Sequence, residues 1–443
     1  TDQPSSFPAS RLRQVAAAVP PGGLFFYQST IVATGALPQH EFEFQDSELP
    51  VRLSRFRIKA PASWDLRPVL FAAPAVRTAN TWELRELPAH PPAPPRLALT
   101  LLPNHSNLPR FATWADVAAW LAARVDPAAQ TTPPLAAQAQ QLTAHLPQPR
   151  QRIAALAAFV QRLPSLPNPD DFVPAPAAQT LARGAGDSLD KATLLRALLR
   201  AIGIPSSIVA LNAADPARVR PEWPSPRVFN SAAVAIPLDS GLLYCDPAAP
   251  HRSLDGLPAL LLRAGANLAT VPESPGEIDR KIILRLEDNG RTTGRLLETA
   301  RGAAATVRRA LLASGTYDAI LADRLEASIL EMKTQDDPLQ NVVHVYVEYG
   351  QDNRLTPAGR LWNWKPLAAW EEFAGSISVH ENVEIELPAG WAVEQMPEPV
   401  QSNGFAAAWY LQDSQLVIDR FLRPSSGAAI AVERLPLVLK KLP

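Results

Sequence analysis

Short runs of alternating apolar and polar residues, broken by Pro, Gly and Asn, occupy the first part of the chain: LFFYQSTIVATG, HEFEFQ, VRLSRFRIKAP, TWELRELPA and PRLALTLLP. Runs of this length and spacing predict an all-β module of the sandwich kind. The proline-dense PAHPPAPP, Pro88 to Pro95, cannot join a strand ladder and reads as an exposed connector. In TWADVAAWLAARVDP, Trp114, Val117, Trp120, Leu121 and Val125 recur at helical spacing, which predicts a helix closing a first module over residues 1–126. DPAAQTTPPLAAQAQ then reads as a linker.

The pattern changes at about residue 137. PQPRQRIAALAAFVQRLPSL is amphipathic, with Ile153, Leu156, Val160 and Leu163 on its inward face. An Ala-Pro-rich loop, NPDDFVPAPAAQTLARGAG, leads to the helix of GDSLDKATLLRALLRAIGIP, and the strands SSIVALN, FNSAAVAIP and GLLYCDP follow. Helices succeeded by strands indicate an α+β domain with an antiparallel sheet, residues 137–275. From 276 to 443 a third region opens on a hairpin, KIILRLEDNGRTTGRLLET, with Asn289-Gly290 at its turn. Two inserted helices, 303–313 and 317–332, precede further strands, which predicts a second β-sandwich. The expected fold class is thus multidomain α+β, with β-rich modules on either side of a central α+β domain.

Composition narrows the function. Hydrophobic residues make up 47% and charged residues 19% of the 443, and the formal net charge is −1. A near-neutral chain with scattered arginines has no field for nucleic acid or an anionic membrane surface. No run is long enough for a transmembrane segment. The opening TDQPSSFPASRLRQV lacks the layout of a signal peptide, and a chain whose signal had been removed would read the same. A single cysteine, Cys245, excludes an internal disulfide framework, and the seven histidines are dispersed with no pair at metal-ligand spacing. No metal or other cofactor is called for.

Three motifs stand in order in the central region: GDSLDKATLL, FNS and YCDP. They resemble the bacterial transglutaminase-like superfamily, in the branch with an N-terminal β-sandwich, whose motifs commonly read G-D-C-K-D-K-A-x-L-L, F-N-H and an aromatic or apolar pair followed by D-P. WDLRPVLFAAP, AALAAFVQRLPSL and ELPAGWAVEQMPEPV extend the resemblance over most of the chain, and the resemblance implies a start partway into the usual sandwich. The resemblance implies a papain-like fold with cysteine as nucleophile, histidine as base and aspartate as orienter. Here those positions hold Ser188, Ser231 and Asp246, spaced by 43 and 15 residues. A cysteine thiol can be tuned to a thiolate by a helix N-terminus and an imidazolium, whereas a serine hydroxyl needs a base that Ser231 cannot be. The triad therefore reads as degenerate.

Ser188 and Lys191 form an S-x-x-K pair, the arrangement of a lysine-activated serine, but the same lysine belongs to the family motif. His251, just past the third motif, is the other weak candidate for a base. Capping explains polar residues at Asp187 and Ser188 without any chemistry, at about 1 kcal/mol. Cys245 alternates with Asp246 along a strand and reads as a buried small hydrophobe. Asp246 can be retained for turn geometry with Pro247. Trp223, Phe229 and Asn230 are the candidate groove-flanking contacts, Trp223 alternatively plugging the emptied pocket. Trp362, Trp364 and Trp370 read as packing residues or as a stacking platform.

The resulting expectation is a catalytically inactive transglutaminase-like protein acting in binding or assembly. Its partner would be a protein, a peptide or a cell-envelope glycan. The resemblance adds an extracytoplasmic setting, periplasmic or secreted. The rival readings are a Ser188-dependent acyl transferase or hydrolase, and a structural subunit of a larger bacterial assembly.

Overall fold

A computed structural model of the chain describes residues 2–4, 11–13, 37–45, 49–72, 75–90, 93–103, 108–167, 172–239, 241–249, 252–337, 340–352, 361–364, 377–396, 398–402, 404–412, 415–423 and 435–441. The chain forms two compact units: Thr1–Leu142 with Phe159–Ala248 and Leu257–Ala269, and Thr143–Ala158 with Ala249–Gly256 and Thr270–Pro443. The α+β, multidomain organisation expected from the sequence is the one observed.

The chain begins with β1 (Asp2–Pro4), β2 (Arg11–Arg13), β3 (Gln39–Glu43), β4 (Val51–Arg57), β5 (Asp65–Phe71), β6 (Val76–Thr78), β7 (Thr81–Leu87) and β8 (Arg96–Leu102). Two three-stranded sheets, ordered β3-β8-β5 and β4-β7-β6, make the sandwich. Its core is Phe44, Trp82, Leu87, Leu97 and Leu99, so one parity of β8 faces inward. The other parity, with Arg96 and Thr100, faces outward and receives a loop described below. LFFYQSTIVATG lies outside the described residues.

Then follow α1 (Trp114–Ala128), α2 (Pro133–Thr143), α3 (Pro149–Gln161), α4 (Ala177–Arg183) and α5 (Ser188–Ala201). Thr113 caps α1 in a capping box with Asp116. Two of these helices fall where loops were expected. The linker contains α2, begun by Pro133, which suits a first helical turn because its missing N–H would have had no intrahelical partner. The Ala-Pro-rich loop contains α4, which starts after Pro176 and ends at the left-handed Gly184. Strands β9 (Ser207–Leu211), β10 (Ser231–Leu238), β11 (Gly241–Cys245), β12 (Pro258–Leu261) and β13 (Leu268–Thr270) form a sheet ordered β11-β10-β9-β12-β13. β10 runs antiparallel to both β9 and β11. Helix α5 packs on β10 and β9 and is buried along nearly its whole length.

The second unit carries β14 (Gly276–Leu286), β15 (Thr292–Arg301), α6 (Ala303–Ser314), α7 (Tyr317–Leu325), β16 (Ser328–Asp337), β17 (Val342–Gln351), β18 (Leu361–Trp364), β19 (Ile377–Glu386), β20 (Trp391–Gln395), β21 (Val400–Ser402), β22 (Phe405–Gln412), β23 (Gln415–Leu422) and β24 (Leu435–Lys441). Eight strands join in the order β16-β17-β15-β14-β19-β23-β22-β21, and β18-β24-β20 form a smaller sheet. At the β14–β15 turn Gly290 takes a positive φ, +82°, and Asn289 does not. The predicted helix over 317–332 stops at Leu325, where Glu326 turns left-handed with φ 48°. Residues 328–337 pair instead with β17, a long-range ladder overriding local helical spacing. Trp362 and Trp364 lie on β18, and Trp370 lies outside the described residues.

One feature of this unit has no counterpart in the sequence motifs. β14, β15, β19 and β23 each place one charged residue on the inward parity, and the registers Arg280↔Glu298, Arg280↔Glu381 and Glu381↔Arg420 align them in one row. Arg280 Nε lies 2.6 Å from Glu298 Oε2 and its Nη1 3.7 Å from Glu381 Oε2, while Arg420 pairs with Glu381. Arg308 from α6 pairs with Glu298, and Tyr317 from α7 donates its hydroxyl to Glu298 Oε1 at 3.2 Å. The row divides an apolar cluster around Ile278, Ala300 and Val379 from one around Ile282, Leu296, Val383 and Ile418. Burial alone would raise the Glu298 carboxyl, but the guanidinium groups of Arg280 and Arg308 overcome it and bring its pKa down to about 2.

Candidate functional site

The site is built around the mouth of α5. Asp187 is the N-cap, its Oδ1 accepting from the Asp190 amide at 2.8 Å, so Ser188 is the first helical residue and not the cap. Gly186 is required by packing: a Cβ there would lie 2.8 Å from Asp190 Cβ and 3.0 Å from Thr180 Cγ2. Asp190 draws the preceding segment together, accepting from the Ala175 amide at 2.7 Å and from Arg183 Nη2 at 2.5 Å. Burial raises Asp187 to about 6, with the nearby Asp190 charge adding to the rise and the Asp190 amide opposing it.

Ser188 is 5% exposed. Its Oγ accepts from the Ala232 amide at 2.8 Å and donates to the Ala232 carbonyl at 3.2 Å. The last β10 residue paired to β11 is Val234, opposite Cys245. Backbone groups of alternate strand residues point to the same neighbour, so Ala232 presents its N–H and C=O just past the end of β11. The serine hydroxyl takes up the ladder position that β11 vacates, satisfying both groups of a fully buried residue.

Ser231 begins β10 opposite Leu211. Its hydroxyl accepts from the Ala213 amide at 3.2 Å and lies 3.2 Å from the Leu211 carbonyl and 3.0 Å from Asn230 Oδ1. It thus ties the strand to the turn that follows β9. Asp246, just after β11, accepts from the Ala248 amide at 2.8 Å in an Asx turn, and its carbonyl accepts from Gln161 Nε2 at 3.2 Å. Lys191 is 1% exposed and donates from Nζ to Ser165 Oγ at 2.9 Å. Burial lowers its pKa, and the Asp246 charge opposes that shift. Cys245 is buried, its thiol pushed up to about 12 by burial and by Asp246. His251 lies outside the described residues.

The flanking aromatics are not groove contacts. Trp223 is 1% exposed, donates Nε1 to Thr100 Oγ1 at 3.1 Å and meets the ring of Phe71 edge-on. It anchors the loop before β10 to the outer face of the sandwich, so it neither faces a groove nor fills the pocket at Ser188. Gln39 and Ser225 complete that anchor: Gln39 Nε2 donates to the Pro224 carbonyl at 2.6 Å, and Ser225 Oγ donates to Gln39 Oε1 at 2.7 Å. Phe229 is buried against Trp114 and Phe172. Asn230 is partly exposed and donates its backbone amide to Leu211. The motifs point to neither Ser165 nor Ala232. Ser165 comes to the site because the parallel bridge Ser165↔Gly186 lays that segment beside the glycine turn. Among the described residues no group of three or more His, Cys, Asp or Glu could hold a metal ion.

Chemically, the arrangement offers a hydroxyl at the helix mouth bonded to a strand backbone, a second hydroxyl at the start of β10, and a carboxylate bound in a turn. Residues 136–235, which include Ser188 and Ser231 and stop short of Asp246, match the family model of the transglutaminase-like superfamily. A search of curated proteins returns no match. Among solved structures, the chain is similar to a "putative protease" from Parabacteroides distasonis ATCC 8503, with 13% identity and a TM-score of 0.52 over 89% of this chain and 70% of that one. A "putative cysteine protease" from Cytophaga hutchinsonii has 11% identity and a TM-score of 0.24, with 52% of this chain and 78% of that one covered. The motifs GDSLDK and FNS fall inside the matched segment: residues 136–235 carry a match to the transglutaminase-like superfamily.

Proposed function

We propose that this protein uses its transglutaminase-like domain for binding or assembly and not for acyl transfer. The observation that carries the reading is the placement of Ser188, whose hydroxyl serves the Ala232 backbone at 2.8 and 3.2 Å while the base position holds a second serine. Triad members act as a unit, so replacing nucleophile and base together removes most of the rate they supply. Lys191 gives little support to the serine–lysine alternative, because its ammonium is directed at Ser165 and held beside Asp246. In this reading the partner is a protein, a peptide or an envelope glycan of a bacterium, met outside the cytoplasm.

The test is turnover. Glutamine-containing peptides are incubated with an amine donor, and both amide cleavage and amine incorporation are followed for the wild type, Ser188→Ala and the double variant Ser188→Cys with Ser231→His. The reading expects no wild-type turnover above the Ser188→Ala background. Wild-type turnover that Ser188→Ala abolishes overturns it. Activity gained only in the double variant supports a frame that has kept its shape and lost its reacting groups.

A further inference from the structure

The anchored loop before β10 creates a second feature at its edge. Arg218, on this loop, pairs with Glu41 of β3, and Arg96 of β8 lies 3.9 Å from the same Glu41 Oε2. The Arg96 guanidinium sits over the ring of Phe71 at 4.7 Å from its centroid, and that of Arg220 approaches the same ring at 5.6 Å. Arg96 thus links two pairs of guanidinium groups, sharing the Glu41 carboxylate with Arg218 and the Phe71 ring with Arg220. The Nε atoms of Arg96 and Arg218 are covered and have no hydrogen-bond partner among the described residues. Arg220 is exposed, as are Glu222 and Glu43, which lies opposite Arg96 in the β3–β8 register.

A single carboxylate cannot saturate the two planar donor forks of Arg96 and Arg218, and contact with Phe71 orients Arg96 and Arg220 before any ligand arrives. Such forks match the paired oxygens of carboxylate and phosphate groups. From this arrangement we infer that the seam formed by Arg96, Arg218 and Arg220 is a binding site for an oxyanion, the carboxylate or phosphate group of a ligand, with Glu41 as its internal competitor. The seam involves none of the residues at the mouth of α5, so the inference goes beyond the proposed function and does not depend on it.

The full-length chain is titrated by isothermal calorimetry with inorganic phosphate and, separately, with succinate, at constant ionic strength made up with chloride. Saturable binding of at least one oxyanion is expected, and which one binds assigns the ligand to the phosphate or the carboxylate class. Arg220→Gln, at an exposed position, should weaken it roughly ten-fold by removing a charged donor. Glu41→Gln should tighten it several-fold by removing the competitor. Absence of saturable binding of either oxyanion, or affinities that neither substitution changes, overturns the inference. The double variant Ser188→Cys with Ser231→His should bind oxyanion like the wild type, which separates failure here from failure of the proposed function.

Discussion

Two buried polar clusters, one in each unit, solve the same problem in opposite ways. At the mouth of α5, Ser188, Ser231 and Asp246 satisfy backbone groups with hydroxyls and a turn-forming carboxylate. In the second unit, Arg280, Glu298, Arg308, Glu381 and Arg420 pair with one another as ions. The first cluster holds the three positions that the sequence motifs single out, and each member bonds to local backbone groups. The second has no motif, yet it is the one in which removing a single member leaves an uncompensated buried charge.

This contrast can be broken by substitution, beginning with the ion row. Glu298→Ala strands Arg280 and Arg308 without their shared carboxylate and should cost about 3–5 kcal/mol by denaturant titration. Replacing Arg280, Glu298 and Arg308 together with Met, Leu and Met should cost far less, because the desolvation of three charges disappears with their attraction. A triple variant as unstable as the single one would show that the row matters for something other than charge pairing.

Ser188→Ala comes next in size. It leaves the Ala232 amide covered and without its acceptor, so a loss of about 1–3 kcal/mol is expected. A nucleophile kept for chemistry behaves differently, since removing a strained reactive group leaves stability unchanged or raises it. The same denaturant titration separates the two.

A third test is a pH dependence at the N-cap. The Asp187 carboxyl titrates at about 6 in the folded chain against 3.8 unfolded, so between those values the folded state holds a proton that the unfolded state has lost. Its contribution to stability is greatest below the lower value, declines as pH rises through the window and is flat above it. Asp187→Asn keeps a capping oxygen and removes the titration. The stability of wild type minus variant should therefore fall between pH 4 and pH 6 and then level off. A difference independent of pH would place the Asp187 charge in solvent.

How much of this was legible in the sequence differs between the two clusters. GDSLDK, FNS and YCDP located the first by motif, and the helix and strands that carry them fall where the sequence placed them. The bonding was not legible: that Asp187 caps and Ser188 bridges depends on where β11 ends, a fact of register. Trp223 misled for a similar reason, since a tryptophan on a proline-rich loop looks exposed until Thr100, 123 residues away, accepts its indole proton. For the second cluster the parity was readable. In GEIDRKIILRL, the inward positions Ile278, Ile282 and Leu284 are interrupted by Arg280, and β15, β19 and β23 are interrupted likewise by Glu298, Glu381 and Arg420. What alternation within a strand cannot tell is which interruptions meet, because β14 pairs in parallel with a strand about a hundred residues further on. The helix expected over 317–332 failed on the same ground, its second half being claimed by β17.

The central claim is that the Ser188 hydroxyl is a backbone partner and not a nucleophile. Its most direct test is mass spectrometry of the intact chain after exposure to an excess of a fluorophosphonate, a reagent that modifies activated serines. The account predicts an unmodified chain, with Ser188→Ala indistinguishable from the wild type. A stoichiometric adduct that maps to Ser188 and disappears in Ser188→Ala would contradict it.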